Sequence, residues 1–278
     1  MILLADSGST KTSWRLIDDN NNIAEFQTSG INPFYQSAED ILRELKAVLK
    51  PQTDNYAIEQ LYFYGAGCHF ADKKQIVHSA VQSVFENSVI EINNDLLAAC
   101  RALFGKEKGI ACILGTGSNS CFYDGREIKQ NVSPLGFILG DEGSGAVLGR
   151  LLVADVLKNQ LSEGMKNKFL TQYNLTTAEI LDRVYKQPFP NRFLAQFAGF
   201  LAENLHYKPI YNIIYESFEK FFLRNVMQYD YKQNRVAFVG SIAYYFSDIL
   251  SAVAMDLNIN ITAIEQSPMN GLQQYHQS

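Results

Sequence analysis

The sequence has no apolar run approaching the ~20 residues needed to cross a bilayer, which excludes a membrane-spanning reading and predicts a soluble protein. Basic charge is also in short supply. Lys and Arg number 24 against 29 Asp and Glu, for a net charge of -5. No stretch gathers enough cations to neutralise a nucleic-acid backbone or an anionic membrane, so a small-molecule partner is expected and nucleic acid is not. Only four cysteines occur, Cys68, Cys100, Cys112 and Cys121, without the C-x-x-C spacing or neighbouring histidines of a zinc or iron-sulfur site. Reduced, buried thiols are expected. The four histidines, His69, His78, His206 and His276, fall in no nucleophile or metal pattern and read as surface or satisfied core residues. Met1 to Asp6 lacks a basic leader and turns polar after five positions, too short for a secretory segment, so a cytoplasmic location is expected. Two phosphate signatures are absent as well. There is no Gly-x-x-x-x-Gly-Lys-[Ser/Thr] loop and no Gly-x-Gly-x-x-Gly opening a helix, which sets aside P-loop enzymes and dinucleotide-binding domains.

What is present is a chain of 278 residues, 47% hydrophobic and 19% charged, enough for two packed domains. The pattern predicts a three-stranded meander over Ile2 to Asp6, Thr12 to Asp18 and Ile23 to Thr28, its last turn at Asp19-Asn20-Asn21-Asn22. A helix over Glu39 to Lys50 is expected to end at Pro51. Strand, helix, strand and helix follow at Leu61 to Tyr64, Lys73 to Phe85, Val89 to Ile92 and Asp95 to Phe104. The plan then restarts with a second meander over Ile110 to Leu114, Ser120 to Tyr123 and Arg126 to Val132, the last two joined by an Asp124-Gly125 hairpin. It is a repeat of topology rather than of sequence. A helix follows Gly143 to about Leu161, and an aromatic-rich helical region runs from Met165 to Tyr231, where Phe193, Phe197 and Phe200 and then Ile214, Phe218, Phe221 and Phe222 keep helical spacing and read as core. A strand over Val236 to Gly240, a helix over Ser241 to Met255, a strand over Asn260 to Ile264 and a short terminal helix complete the chain. The fold expected is α/β, in two lobes over residues 1–108 and 109–278 with a ligand cleft between them. The helical elaboration falls in the second lobe, and the last helix is a candidate to pack back on the first.

Four segments carry chemistry. Asp6-Ser7-Gly8-Ser9-Thr10-Lys11-Thr12 joins two strands, and its small residues let backbone amides approach an anion. Taken alone, a ligand-free Gly/Ser hairpin explains it better. Gly115-Thr116-Gly117-Ser118-Asn119 fills the equivalent turn of the second half, and two such turns can grip a polyphosphate from both sides. Asp95 opens a helix after a strand, where it is either an N-cap or a carboxylate that takes the proton of a substrate hydroxyl. Gly140-Asp141-Glu142-Gly143-Ser144-Gly145 places two acids near the start of a helix, with more glycines than capping requires. Val239-Gly240-Ser241 joins strand to helix where adenine or ribose could lie on the backbone, and helix packing explains it nearly as well.

In this order the segments resemble the N-acetylglucosamine kinase and BadF/BadG/BcrA/BcrD-type ATPase family, within the acetate and sugar kinase, Hsp70 and actin superfamily. The most specific stretch is Leu114 to Asn119 followed by Gly136 to Ser144. The resemblance covers essentially the whole chain and implies two ribonuclease H-like lobes of the actin-like ATPase kind, with ATP and Mg²⁺ as cofactors. It implies that Gly8, Ser9, Thr10 and Lys11 form the first phosphate segment, that Gly115, Thr116 and Gly117 form the second, and that Gly240 and Ser241 belong to the adenosine segment. Asp6 would hold Mg²⁺ through water, Asp95 would be the catalytic base, and Asn32, Ser118, Asn119, Gly136 and Asp141 would face the sugar. The implied activity is phosphorylation of an amino sugar, N-acetylglucosamine at its 6-hydroxyl. Leu135 departs from the tryptophan of mammalian-type members, which leaves N-acetylglucosamine, glucosamine and N-acetylmuramic acid all open. Two other readings stand beside the kinase, an ATPase activator of a radical dehydratase and a non-catalytic nucleotide-dependent sugar sensor. A homodimer is also left open.

Overall fold

The computed structural model describes residues 1–8, 10–18, 21 and 23–277. Ser9 and most of the Asp19 to Asn22 turn lie outside the described residues. The chain divides into two compact units, Met1–Glu107 with Pro268–Ser278, and Lys108–Ser267. Among the described residues no helix is long and apolar enough to cross a membrane.

The first unit is built on β1 (Ile2–Ser7), β2 (Lys11–Ile17), β3 (Ile23–Ser29), β4 (Gln60–Gly65) and β5 (Val89–Asn94), in the sheet order β3-β2-β1-β4-β5. β1 runs antiparallel to β2 and parallel to β4, and β4 runs parallel to β5. Leu3, Leu4 and Ala5 are all buried, as befits a central strand covered on both faces. On β2, Thr12, Trp14 and Leu16 alternate with more open residues, and the Trp14 indole N–H donates to Thr28 Oγ1 at 3.0 Å.

The first helix does not end at Pro51. Helix α1 (Ala38–Glu44) opens with a capping box between Ser37 and Asp40, widens to a π turn over Leu45–Leu49, and continues as α2 (Lys50–Thr53). Proline lacks an N–H and its ring crowds the carbonyl four residues back. The π turn shifts that register just before the proline, and the Thr53 hydroxyl donates to the carbonyls of Leu49 and Lys50 at 3.1 and 3.2 Å. Helices α3 (Ala71–Gln82) and α4 (Asp95–Phe104) follow β4 and β5.

The C-terminal helix, Met269–Gln277, packs on α4 and β1, with Met269 and Leu272 buried against Leu4, Ile17, Tyr64 and Ala98. His276 is a satisfied partner there. Its Nε2 lies 2.8 Å from Tyr64 Oη, its ring stacks on Tyr62 at 3.8 Å, and Arg101 donates to Tyr64 Oη at 2.6 Å while pairing with Glu91 at 3.0 Å. Burial, and then the Arg101 charge, push the imidazole down to about 4, with Glu91 opposing. Because the folded state holds the neutral ring, the unfolded chain binds more protons below the ordinary histidine range. Stability is therefore lost as pH falls from about 6.5 toward 4, by on the order of 1–3 kcal/mol. Amide exchange of the C-terminal helix should accelerate over that window, and a His276→Gln variant should lose the acid dependence.

The second unit repeats the plan with β6 (Gly109–Leu114), β7 (Ser118–Tyr123), β8 (Ile128–Val132), β9 (Val236–Val239) and β10 (Ile261–Glu265), in the order β10-β9-β6-β7-β8. β6 is antiparallel to β7 and parallel to β9, as β1 is to β2 and β4, so both units have the ribonuclease H-like strand order that the resemblance implies. The excursion from β8 to β9 holds α5 (Gly136–Leu139), α6 (Gly145–Leu157), α7 (Glu163–Tyr173), α8 (Thr177–Tyr185), α9 (Pro190–Ala195), α10 (Ala198–Glu203) and α11 (Lys208–Arg224). Phe197, Phe200, Ile214, Phe218, Phe221 and Phe222 are fully buried there, the core role their spacing predicts, whereas Phe193 is only partly buried against that core.

The helix expected over Ser241 to Met255 is instead two, α12 (Ser241–Tyr245) and α13 (Ser247–Asp256). The break is at Phe246, whose backbone leaves the helical region and whose ring is buried in the core. All four cysteines are buried, as expected.

Candidate active site

In the first unit the candidate residues sit at the ends of β1 and β5. Asp6 is the penultimate residue of β1, opposite Ser13 on β2 and Tyr64 on β4. Its neighbour Ser7 is locked, with Oγ 2.7 Å from Thr12 Oγ1 and accepting the Ile31 N–H at 3.0 Å. The turn is closed by the Gly8 N–H donating to the Lys11 carbonyl at 3.0 Å, and the Thr10 carbonyl accepts from the Gly30 N–H at 3.1 Å.

Asp95 is the first residue of α4 but not its cap. Asn94 holds that role, its Oδ1 accepting the Leu97 N–H at 2.8 Å, so the capping explanation of Asp95 falls away. Asp95 Oδ1 is buried and has no hydrogen-bond partner among the described residues. Burial raises the Asp95 pKa, against His69 and the N–H groups of Leu96 and Asp95 itself. Asp6 is pushed up to about 7, by burial first and then by the Asp95 charge, with Lys11 opposing. Of the surface and core roles the sequence allows His69, it takes the surface one; it is exposed, and only the fold brings it near enough for its charge to act on Asp95. Asn32 is in the same unit, with its Oδ1 accepting the Phe34 N–H at 3.0 Å and its own N–H donating to Gln36 Oε1 at 2.7 Å, which leaves the side-chain NH₂ as its donor toward a ligand.

In the second unit the turn after β6 closes within Gly115–Gly117 by the Gly115 N–H donating to the Gly117 carbonyl at 2.9 Å. Ser118 and Asn119 are therefore not turn residues but the first two of β7, paired with Leu114 and Ile113. The N–H groups of Gly145 and Ala146, at the start of α6, donate to the carbonyls of Gly115 and Thr116 at 2.8 and 3.1 Å. A trans peptide points its N–H opposite to its C=O, so the N–H groups of Thr116 and Gly117 face away from α6. Asp141 and Glu142 do not cap α6, whose N-cap is Ser144. Asp141 instead takes a hydrogen bond from the Ser118 N–H and lies beside Gly117, where an added Cβ would stand 3.1 Å from Asp141 Oδ2. Burial, reinforced by Glu142, pushes the Asp141 carboxyl up to about 6. Glu142 is held by Arg224 at 2.8 Å and Asn225 at 3.4 Å, partners with no signal in the sequence.

Asn119 Oδ1 is taken by the Ser120 N–H and by Asn131 Nδ2, each at 2.9 Å. Gly136 opens the single-turn α5 after the left-handed, exposed Leu135. Gly240 follows β9 and lies against the Leu114 carbonyl, with the exposed Ser241 opening α12.

The cation implied by the resemblance can be weighed against these donors. Among the described residues no three His, Cys, Asp or Glu side chains are grouped to hold a metal on their own. A Mg²⁺ that takes most of its ligands from water and phosphate needs only one or two carboxylates, and Asp6, crowded by a second acid and held up to about 7, suits that demand.

No protein-family model matches the chain. A solved structure of a candidate N-acetylglucosamine kinase from Porphyromonas gingivalis is 48% identical, covers 99% of this chain and 98% of its own, and superposes with a TM-score of 0.96. Among characterised proteins, the N-acetyl-D-glucosamine kinase of Dictyostelium discoideum is 26% identical over 63% of this chain and 59% of its own length. The glucosamine kinase GspK of Vibrio cholerae is 33% identical over 32% of this chain and 30% of its own length. A dehydratase activator from Clostridium difficile, solved with ADPNP, shares the fold at 16% identity and a TM-score of 0.52, covering 99% of this chain and 94% of its own. With near-complete coverage at 48% identity, and a ribonuclease H-like sheet in each unit, the chain belongs to the N-acetylglucosamine kinase-like family of actin-like ATPase-fold proteins.

Proposed function

We propose that the chain is an ATP-dependent amino-sugar kinase acting in the cytoplasm, with N-acetylglucosamine and its 6-hydroxyl as acceptor. The observation that carries this reading is the buried, unpartnered Asp95 Oδ1. A carboxylate oxygen withdrawn from water without a hydrogen bond is costly to maintain, and a substrate hydroxyl would satisfy it. With its pKa raised, the group is also a stronger base than an ordinary aspartate.

In the proposed reaction Asp95 accepts the proton of the sugar hydroxyl as that oxygen attacks the γ-phosphorus. The new O–P bond forms while the bond to the β-phosphate oxygen breaks, and ADP leaves. The N–H groups of Thr116 and Gly117 would donate to phosphate oxygens, as would the turn from Gly8 to Lys11, and Gly240 with Ser241 would support the adenosine. Asn32, Ser118, Asn119, Gly136 and Asp141 would orient the sugar. Mg²⁺, when bound, would neutralise phosphate charge, and Asp6 is the residue that would hold it. Most of the acceleration then comes from alignment and charge stabilisation. The activator reading needs cysteines available to a cluster between subunits, whereas Cys68, Cys100, Cys112 and Cys121 are all buried.

A coupled ADP-release assay over N-acetylglucosamine, glucosamine, N-acetylmuramic acid and glucose tests the proposal. An amino sugar should be turned over well ahead of glucose. Equal turnover of glucose, or no sugar-stimulated ADP release, overturns it.

A further inference from the structure

We propose that Phe34 and Phe70, on two meshed loops of the first unit, form the wall that receives the N-acyl group of the acceptor and so set a preference for an acylated over a free amino sugar. The assignment rests on the kinase reading above.

The first loop follows β3 and the second joins β4 to α3. Asn32 Oδ1 accepts the Phe34 N–H at 3.0 Å, a local turn that fixes the backbone carrying the ring. Gly67 of the second loop lies against that turn. It has φ 84°, and a Cβ there would stand 2.6 Å from Asn32 Oδ1 and 2.9 Å from Phe34 Cδ2, so a glycine is what lets the two loops meet. Cys68 and His69, next along this loop, both interact electrostatically with Asp95. The two rings therefore stand on the loops that carry Asn32 and flank the candidate base.

The fold gains little from either ring. Phe34 is 50% exposed and Phe70 61%, and they meet edge to face with centroids 6.5 Å apart. Phe70 occupies the N-cap position of α3 and makes no side-chain hydrogen bond there, although Ser, Thr, Asp or Asn would stabilise the helix. A bulky ring kept in water where a polar cap belongs is the kind of local conflict that marks a binding position. Lys73 Nζ lies 5.0 Å from the Phe34 centroid, with the exposed Asp72 carboxylate 4.0 Å from the same ammonium. A ring that already carries one cation is a poor seat for the ammonium of an unacylated amino sugar, whereas a neutral amide and its methyl group suit it. In a pyranose, C2 lies across the ring from C5, which bears C6. An acyl group on C2 is thus on the far side of the sugar from a 6-hydroxyl held at Asp95, which calls for a wall beside the base rather than upon it. Because both rings are open to solvent, longer acyl chains should also be accepted.

Steady-state rates with MgATP are compared for N-acetylglucosamine, N-butanoylglucosamine and glucosamine. Phe34→Ala and Phe70→Ser should each lower kcat/KM for N-acetylglucosamine about five- to tenfold, through KM, the scale of re-exposing a methyl group and its amide face. The kcat/KM for glucosamine and the KM for ATP should not change. Phe70→Ser should also hold or raise the thermal midpoint, because it supplies a cap, so a folding defect cannot mimic the result. Losses of equal size for both sugars, or none for either, overturn the proposal, and rejection of N-butanoylglucosamine overturns an open-ended wall. If no sugar stimulates ADP release, the kinase reading fails by itself, and saturation-transfer NMR with N-acetylglucosamine decides the wall. The acetyl methyl protons should then be saturated more strongly than the ring protons and lose that excess in both variants. Methyl protons saturated no more than the ring, an excess that survives in both variants, or no transfer at all, would overturn it.

Discussion

Asp95→Asn is expected to lower kcat by ~10²-fold or more while leaving the thermal midpoint and the sugar Kd nearly unchanged. Three features of the site combine to give this result. Asn94 caps α4, so the substitution removes no helix cap. Burial raises the Asp95 pKa, which means the folded state disfavours the charged form, and a neutral amide at this position relieves that cost rather than adding to it. Stability near neutral pH should therefore hold or rise slightly. An asparagine can still accept a hydrogen bond from a sugar hydroxyl, so ground-state binding survives, but it cannot take up the proton released in the attack. Thermal midpoint, Kd and kcat on one preparation decide the matter. A variant with near-normal kcat would strip Asp95 of the base role and make Asp141, held up to about 6 by burial, the leading candidate. A large drop in midpoint would show that the carboxylate is structural.

The parts of this protein legible in its sequence are those set by local pattern. Strand periodicity and turn residues gave both meanders and the repeat of topology, and the spacing of Phe218, Phe221 and Phe222 marked them as core. What could not be read there depends on contacts distant along the chain. Pro51 promised a helix end because nothing local announces a π turn that accommodates a proline. Asp95 and Asn94 are equally good caps by residue type, and only the tertiary path of α4 assigns the cap to one and buries the other. Asp141 and Glu142 looked like acids at a helix dipole, but Ser118, Arg224 and Asn225 claim them from elsewhere in the sequence. His69 acts on Asp95 through its charge from a different loop, a proximity that no motif encodes.

Gly240→Ala should destabilise the second unit by ~3 kcal/mol or more, whereas Ser241→Ala should leave its stability unchanged and raise the KM for ATP. The sequence offers two accounts of Gly240, a floor for adenosine or room for helix packing, and the structure adds a third that dominates both. Gly240 has φ 123° and ψ 157°, a region closed to side-chain-bearing residues, and a Cβ there would stand 2.3 Å from the Leu114 carbonyl oxygen. That oxygen belongs to the last residue of β6, the central strand, which pairs with β9 through Ile113 and Val239. Neither side can yield. The Gly240 N–H donates to the Glu265 carbonyl at 2.9 Å and its carbonyl accepts from the Tyr244 N–H at 3.0 Å, so the peptide cannot rotate without giving up contacts to β10 and α12. The new methyl must then displace β6, and with it the Gly115–Gly117 turn that follows. Ser241 has no such constraint: it is exposed at the first position of α12, and any loss on its removal falls on the nucleotide. Because the single tryptophan, Trp14, belongs to the first unit, its fluorescence would miss this effect, and amide exchange over β6, β9 and α12 is the measurement to use. Normal protection in Gly240→Ala together with weakened ATP binding would restore the adenosine account of this glycine, and an unchanged KM in Ser241→Ala would remove Ser241 from the nucleotide site.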